Sequence, residues 1–372
     1  MSWLNCKKIL CIRADNMGDL IMTTPALRAL KETFNCNITV LTSKMGNWIA
    51  PFISEIDDVI VQDVPWIKTS ESPNADMLLS LIEKIKQQNF DAAVIFTVYS
   101  QNPLPAAMLA YMAGIPKRLA YCRENPYELL TNWVVEKEPL DFIQHQVQRD
   151  LELVATVGAV TKNDRLSISV NEDAVIAAYK KLKKINFSNY NEWIIFHPGV
   201  SEEKRRYPVH SWIELGKIIT KQLKKNILIT GSSSEKLLAQ TIQQGIGENA
   251  YVAAGLFTIE EFITIIREAP LIISVNTSTV HIAAATQTPV IVLYALTNPQ
   301  HTPWKVPSKV FPFPVDEALR SKNAIINYVN KHFFDKTIHF PTAKNIFYAV
   351  VDMLQKERRH HELDEPTSIL LL

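Results

Sequence analysis

The sequence predicts an α/β protein made of two doubly wound halves. Three observations carry that expectation. Short apolar runs of strand length alternate with amphipathic helical stretches along most of the chain. The first run leads directly into a loop and a helix. A polar, aperiodic stretch at 186–192 interrupts the alternation, which then begins again. Two halves of this build are expected to face each other across a cleft, with ligands at the carboxyl ends of the strands. A chain of 372 residues is long enough for two domains, each with its own core.

The elements follow in order. Ile9, Leu10, Cys11 and Ile12 form the first buried strand, 14–19 a loop, and Thr23, Thr24, Pro25 and Ala26 open a helix with proline in its first turn. Strands are expected at 37–41 and 58–61, with a short helix at 45–53 between them. Residues 64–73, with two prolines, read as a loop. Met77, Leu78, Leu81, Ile82 and Ile85 share one face of a helix over 75–88. Strand 91–96 opens into the polar, proline-containing loop 97–105. Residues 144–157 read as a helix with His145 and Arg149 one turn apart, and 171–184 as a lysine-rich amphipathic helix. The second half then runs strand 192–196, helix 211–224, strand 227–230, helices 234–244 and 258–269, strand 271–275, helix 277–286 and strand 290–293. Beyond Pro299 the chain is rich in proline and aromatics up to Pro314, then helical at 315–332 and 343–357. Domains are therefore expected at 1–185 and 186–340, followed by a helix 341–357 and a disordered tail 358–372.

Composition narrows the function. A formal net charge of +1 offers no overall attraction to nucleic acid, so any anion site must be local. Cys6, Cys11, Cys36 and Cys122 have no CxxC spacing, which argues against a zinc site or a disulfide framework and for reduced thiols in a cytoplasmic protein. No signal-peptide pattern precedes the first strand. The longest apolar region, 271–296, is broken by Asn276, His281, Gln287 and Pro289, so no membrane span is expected.

Several stretches carry chemistry. Gly18 and Asp19 stand at the entrance of the first helix, where Asp19 reads either as a helix cap or as a general base at a site wall. His197, Pro198, Gly199 and Val200 leave a strand end ahead of Lys204, Arg205 and Arg206; a glycine there lets backbone N–H groups approach phosphate, and the cations can offset a pyrophosphate charge. The 230–235 turn, with Gly231 and Glu235, reads as a phosphate or ribose site or as an ordinary cap. Asn276, Thr277, Ser278 and Thr279 precede His281 at a helix N-terminus, which supplies unpaired N–H donors and about half a positive charge. Residues 294–299 leave the next strand and would close the same pocket. Arg13, Arg118 and Arg123 are candidates for a basic wall facing an anionic acceptor, although Arg118 and Arg123 read first as solvated charges on a strand.

At this point the chain resembles glycosyltransferase family 9, the ADP-heptose:lipopolysaccharide heptosyltransferases. The resemblance rests on Met17-Gly18-Asp19, His197-Pro198-Gly199 with its cationic run, the Gly231 to Glu235 turn, Asn276 to His281 with Ala283, Ala284 and Ala285, and Leu296-Thr297-Asn298-Pro299. It implies a GT-B fold of two Rossmann-like domains, acceptor side first and nucleotide-sugar side second, with a C-terminal helix crossing back, for which 343–357 is the candidate. It implies that Asp19 is the general base of an inverting sugar transfer, taking the proton from the acceptor hydroxyl as it attacks the anomeric carbon. Lys204 or Arg205 would contact phosphate, Glu235 the ribose hydroxyls, Phe257 the base, and Thr277, Ser278 and His281 the diphosphate. Donor contacts also fall on Gly199, Val200 and Asn276. The implied donor is ADP-heptose, and the implied acceptor is a lipid-linked or lipopolysaccharide-type glycan at the inner face of the inner membrane, reached by peripheral contact. No metal cofactor is expected, because the nearby acids lack the spacing for Mg²⁺ or Mn²⁺. Two departures stand out: Asn276-Thr277-Ser278 replaces an acidic residue followed by Ser or Thr and Gly, and Tyr207 stands where Trp is usual. The first leaves open another donor, a GT-B nucleotide-sugar epimerase, or a nucleotide-sugar-binding protein without catalysis.

Overall fold

The computed structural model describes residues 2–68, 74–187, 192–296, 298–333 and 338–364, the last nine as helix backbone only. Parts of the expected loop 64–73, linker 186–192 and tail 358–372, together with Thr297, lie outside the described residues.

The chain divides into two units, one comprising Met1–Ser169, Thr297–Trp304 and Ser321–Phe334, the other Val170–Leu296, Lys305–Arg320 and Asp335–Leu372. Unit 1 begins with β1 (Lys8–Ile12), α1 (Met17–Phe34), β2 (Asn37–Thr42), α2 (Lys44–Asn47), β3 (Asp58–Val61) and α3 (Ala75–Lys86). It continues with β4 (Ala92–Ile95), α4 (Leu104–Met112), β5 (Lys117–Cys122), β6 (Asn132–Val135) and α5 (Gln146–Ala155). The strands form one parallel sheet in the order β3-β2-β1-β4-β5-β6. β1 is central, with Ile9 paired to Ile38 on one side and Ala92 on the other, so helices on both faces bury it and its residues run apolar without alternation. Strand order reverses between β1 and β4, and the loop leaving β1 therefore opens at the carboxyl edge where such sheets hold ligands.

Helix α1 starts earlier than the Thr-Thr-Pro pattern suggests. Asn16 caps it, Gly18 and Asp19 fall in its first turn, and Pro25 lies inside. An interior proline removes the N–H that would bond the Ile21 carbonyl, and the Thr24 hydroxyl donates to that oxygen instead at 2.8 Å. The expected 14–19 loop is thus half helix, which fixes Asp19 on a rigid element.

Unit 2 contains α6 (Glu172–Lys184), β7 (Trp193–His197), α7 (Val209–Gln222), β8 (Asn226–Ile229), α8 (Lys236–Ile246), β9 (Ala250–Val252) and α9 (Ile259–Glu268). β10 (Ile272–Val275), α10 (Ser278–Ala285), β11 (Val290–Ala295) and β12 (Ser308–Phe313) complete its parallel sheet, ordered β12-β11-β10-β7-β8-β9. Its core gathers Phe196, Trp212, Ile219, Ile273, Leu293 and Phe313 around α7 and the central strands.

The unit boundary falls before α6, not after it. Lys181 Nζ donates to Glu261 Oε2 at 2.6 Å, and that carboxylate also accepts the Thr258 N–H in the capping box of α9, so α6 is fastened to unit 2. Two later segments return to unit 1. Gln300 Nε2 donates to Glu138 Oε1 at 2.9 Å, Trp304 Nε1 to the Asp164 carbonyl at 2.7 Å, and Asn323, cap of α11 (Ala324–His332), to the Ser100 carbonyl at 3.4 Å. The helix expected to cross back is instead a unit 2 element: α12 (Ala343–Asp364) packs on α7, β11 and β12, and runs past the expected end at 357. Among the described residues no helix is long and apolar enough to cross a membrane. The four cysteines are buried and free.

Candidate active site

In unit 1 three carboxylates gather round one guanidinium. Arg13, just past β1, is 1% exposed. Its Nε lies 3.4 Å from Asp15 Oδ2 and its Nη2 donates to Asp19 Oδ1 at 3.2 Å, while Nη1 has no hydrogen-bond partner among the described residues. Asp150, reached from α5, accepts the Thr23 hydroxyl at 2.9 Å and Gln146 Nε2 at 2.7 Å. Burial pushes Asp15 and Asp150 up from 3.8 to about 6, against the pull of Arg13 in both cases. The same three acids raise Arg13 despite its burial.

Asp19 is divided between the two roles that its position suggests. Oδ2 accepts the Asn16 N–H at 3.2 Å, which is the capping contact. Oδ1 faces Arg13 and lies 3.8 Å from His301 Nε2, on the returning segment of unit 1. A carboxylate oriented through one oxygen by a backbone N–H and flanked at the other by a fixed cation is positioned to receive a proton.

The cations expected to form a basic wall are held by backbone carbonyls and acids of unit 1. Arg118 is 7% exposed, and its guanidinium donates to the carbonyls of Leu129, Glu128 and Ile115, tying β5 to the turn before β6. It is therefore not a solvated charge. Arg123 donates to the Tyr99 and Glu138 carbonyls at 3.2 and 2.7 Å. Arg13 serves the carboxylates of its own loop. These cations satisfy the backbone and buried acids, since unpaired carbonyls in a loop-rich region cost more than an exposed lysine or arginine gains.

His145 caps α5 and does not share its face with Arg149; its ring meets the Thr302 carbonyl at 2.8 Å. Arg149 lies between Glu136 and Glu138, with Nη1 2.8 Å from Glu138 Oε2. Sequence reasoning passed over Asp15, Asp150 and His301. Asp15 had a signal, alternating with Arg13 along the chain leaving β1. Asp150 and His301 had none, since only the tertiary fold brings α5 and the 298–304 segment to Arg13 and Asp19.

In unit 2 the expected donor residues cluster at the carboxyl ends of β7, β8 and β10. Glu235 Oε2 accepts the Ser232 N–H at 2.7 Å and its hydroxyl at 2.9 Å. The other side of that carboxylate lies against Gly199, where a Cβ would fall 2.1 Å from Oε1. Gly199 is thus required by contact with Glu235, and Val200 beside it packs on the core. Gly255, with φ +74°, donates to the Gly231 carbonyl at 2.9 Å and brings the partly buried Phe257 to the same turn. His197 Nδ1 and Thr230 Oγ1 are hydrogen-bonded at 2.9 Å, and burial holds the ring down to about 4 although Glu235 works against this.

Arg205 joins the cationic run to the helix cradle. Its Nη1 donates to the Asn276 carbonyl at 3.2 Å, its Nη2 lies 3.2 Å from Glu202, and its buried Nε has no hydrogen-bond partner among the described residues. Lys204 Nζ lies 3.4 Å from the same Glu202. The Asn276 side chain accepts the Ala295 N–H at 3.2 Å, tying the ends of β10 and β11 together. Thr277 caps α10 in extended conformation without a side-chain cap bond, and Ser278 stands in the first turn, with Thr279 and His281 buried behind it. The helix thus presents uncapped N–H groups beside a guanidinium, an arrangement that binds anions. Among the described residues no group of three or more His, Cys, Asp or Glu side chains is placed to hold a metal ion.

The family model of glycosyltransferase family 9 (heptosyltransferase) matches residues 78–322. The chain belongs to this family. Lipooligosaccharide heptosyltransferase 2 of Haemophilus influenzae is 25% identical over 312 residues, 79% of this chain and 85% of that protein. The crystal structure of a family 9 glycosyl transferase from Veillonella parvula superposes with a TM-score of 0.75 at 16% identity, covering 95% of this chain and 98% of that one. The E. coli ADP-heptose LPS heptosyltransferase II gives 0.68 at 18% identity, over 94% and 99%. The fold is GT-B, with one Rossmann-like sheet in each unit, and the family 9 chain described here is a glycosyltransferase.

Proposed function

We propose that this enzyme transfers a heptose from ADP-heptose to a lipopolysaccharide-core or other cell-envelope glycan, with inversion at the anomeric carbon. The observation that carries the reading is the fixed Asp19 carboxylate on α1, with Oδ2 on a backbone N–H and Oδ1 beside Arg13. Asp19 takes the proton of the acceptor hydroxyl as that oxygen bonds to the anomeric carbon. The bond from that carbon to the diphosphate breaks, and ADP leaves with the electron pair. Arg205, Lys204 and the N-terminus of α10 offset the charge that develops on the diphosphate, so the reading needs no metal. Thr277 and Ser278 line that cradle with His281 buried behind them, Asn276 and Val200 flank it, Glu235 meets the ribose hydroxyls, and Phe257 covers the adenine. Work at the cytoplasmic face of the inner membrane, by peripheral contact, follows from such an acceptor.

Calorimetric titration with ADP, UDP, GDP and ADP-heptose tests the donor. Preferential binding of ADP and ADP-heptose supports the reading. Preference for UDP or GDP reassigns the donor, and the Asn276 departure then has its explanation. Absence of nucleotide binding would leave a protein that has lost the reaction.

A further inference from the structure

His301 closes the turn Pro299–His301, and the residues on either side of it pin that turn to unit 1. Gln300, wholly buried, donates to Glu138 at 2.9 Å. The Thr302 carbonyl meets the His145 ring at 2.8 Å, and the Trp304 indole donates to the Asp164 carbonyl at 2.7 Å. A histidine between such anchors is held at a set distance from α1. That distance is 3.8 Å, from Nε2 to Asp19 Oδ1.

The hydrogen bonds within the turn fix the tautomer of the ring. Asn298 Oδ1 accepts the Gln300 N–H at 3.0 Å, which orients the amide with Nδ2 toward the histidine. Nδ2 can only donate, and it lies 3.3 Å from His301 Nε2. Nε2 is therefore the ring's acceptor, and the ring proton sits on Nδ1. A nitrogen lone pair consequently faces the Asp19 oxygen that also faces Arg13.

An unprotonated Nε2 has nothing to donate to a carboxylate, in keeping with a separation longer than a hydrogen bond. The relation reverses once Oδ1 has taken a proton. Oδ1–H then has an acceptor about 1 Å beyond hydrogen-bond length, a gap of the kind that closes when substrate is bound. Arg13 Nη2, 3.2 Å from the same oxygen, favours the ionised carboxylate and so presses the proton off it. The His301 side chain is 23% exposed against 13% for Asp19, so the ring leads outward from the base.

We propose that His301 is the second proton acceptor of the transfer, taking from Asp19 the proton that Asp19 takes from the acceptor hydroxyl. The inference rests on the glycosyltransfer reading above and extends it to the relief of the base. The Asp19 Oδ1–H bond breaks and an Nε2–H bond forms, leaving a carboxylate and an imidazolium. After the product leaves, Nε2 gives its proton to water, and the neutral ring with its proton on Nδ1 returns. The ring thus acts on turnover and makes no contribution to donor binding.

Nitrogen-15 NMR of the histidine rings in the full chain at pH 8 reads the tautomer, with the His301 signals identified by their loss in His301→Gln. Nε2 is expected to carry no proton; a ring protonated there overturns the proposal. Release of ADP from ADP-heptose, with a de-O-acylated lipopolysaccharide core lacking heptose as acceptor, reads the rate. His301→Ala should lower kcat about 10–100-fold, leave both KM values and ADP affinity unchanged, and regain most of the loss with added imidazole. His301→Gln should be as slow, since an amide cannot take the proton. A purely structural role would let glutamine restore the rate and leave imidazole without effect. That pattern, an unchanged kcat, or a loss carried by KM overturns the proposal. ADP affinity and the thermal midpoint of each variant show that it is folded. If the unaltered chain neither binds ADP nor releases it from the donor, the transferase reading falls and this inference with it; if it does both, the His301 variants decide this inference alone.

Discussion

Replacing Arg13 by methionine removes the counter-charge of a buried cluster while keeping most of the side-chain volume. The Arg13 side chain is wholly buried, and Asp15 and Asp19 lie 3.4 and 3.2 Å from it. Breaking a buried ion pair from one side costs about 3–5 kcal/mol, because the remaining charges stay desolvated. For a unit of this size, about 2–4 °C per kcal/mol gives a melting point lower by about 6–20 °C at pH 8. The sign of the pH dependence follows from the acids. Asp15 and Asp150 sit at about 6 in the folded protein against 3.8 unfolded, so the folded state holds protons that the unfolded chain releases. Their contribution is present in full below about pH 4 and is lost as pH rises through 6. Without Arg13 these carboxyls rise further and protonate sooner, so the variant's deficit should be largest at pH 8 and shrink by pH 5.5. Thermal unfolding of both proteins across that range reads the effect. A deficit that is absent at pH 8, or unchanged by pH 5.5, would refute the reasoning.

Other predictions address the site directly. Asp19→Asn should slow transfer about 10²–10⁴-fold and leave ADP affinity unchanged; a variant within tenfold of the unaltered rate removes Asp19 as the base. Gly199→Ala places a methyl 2.1 Å from Glu235 Oε1, so the carboxylate must move, and ADP affinity should fall at least about tenfold by calorimetry; unchanged affinity takes Glu235 out of the donor site. His197 is held near 4 against an ordinary 6.5, so its burial supports the fold above pH 6.5 and that support is lost as pH falls toward 4. Urea unfolding should therefore show a steeper loss between pH 7 and 5 in the unaltered protein than in His197→Gln, the comparison cancelling the opposite trend of Asp15 and Asp150.

The central strands were legible because burial on both faces writes an apolar run, as in Ile9 to Ile12 and Ile272 to Val275. Of the peripheral strands β3 was also legible, whereas β6, β9 and β12 were not. β6 alternates half-buried and exposed residues, β9 has three residues, and β12 carries Pro312, which an edge strand tolerates and a sequence reader takes for loop. Helix α4 was passed over because its residues are apolar on nearly every side, which leaves no amphipathic period to detect. The site divides the same way. Gly18, Asp19, Gly199 and Asn276 to His281 lie on contiguous stretches whose local chemistry is visible in the chain. The employment of Arg118 on three carbonyls, and the approach of Asp150 and His301, depend on contacts between residues far apart in sequence.

The return of residues 298–304 and 321–333 to unit 1 has a consequence for biosynthesis. Glu138 waits for Gln300, Asp164 for Trp304, and Ser100 for Asn323, so the first sheet emerges from the ribosome well before its last partners exist. At about 5–20 residues per second that interval is on the order of 10–30 s. Throughout it the nascent chain carries a nearly finished Rossmann sheet whose Glu138 carboxylate holds Gln144 and Arg149 but still lacks the Gln300 side chain. A premature stop before residue 298 would therefore yield an unfinished body, prone to capture by chaperones, and not an autonomous unit 1.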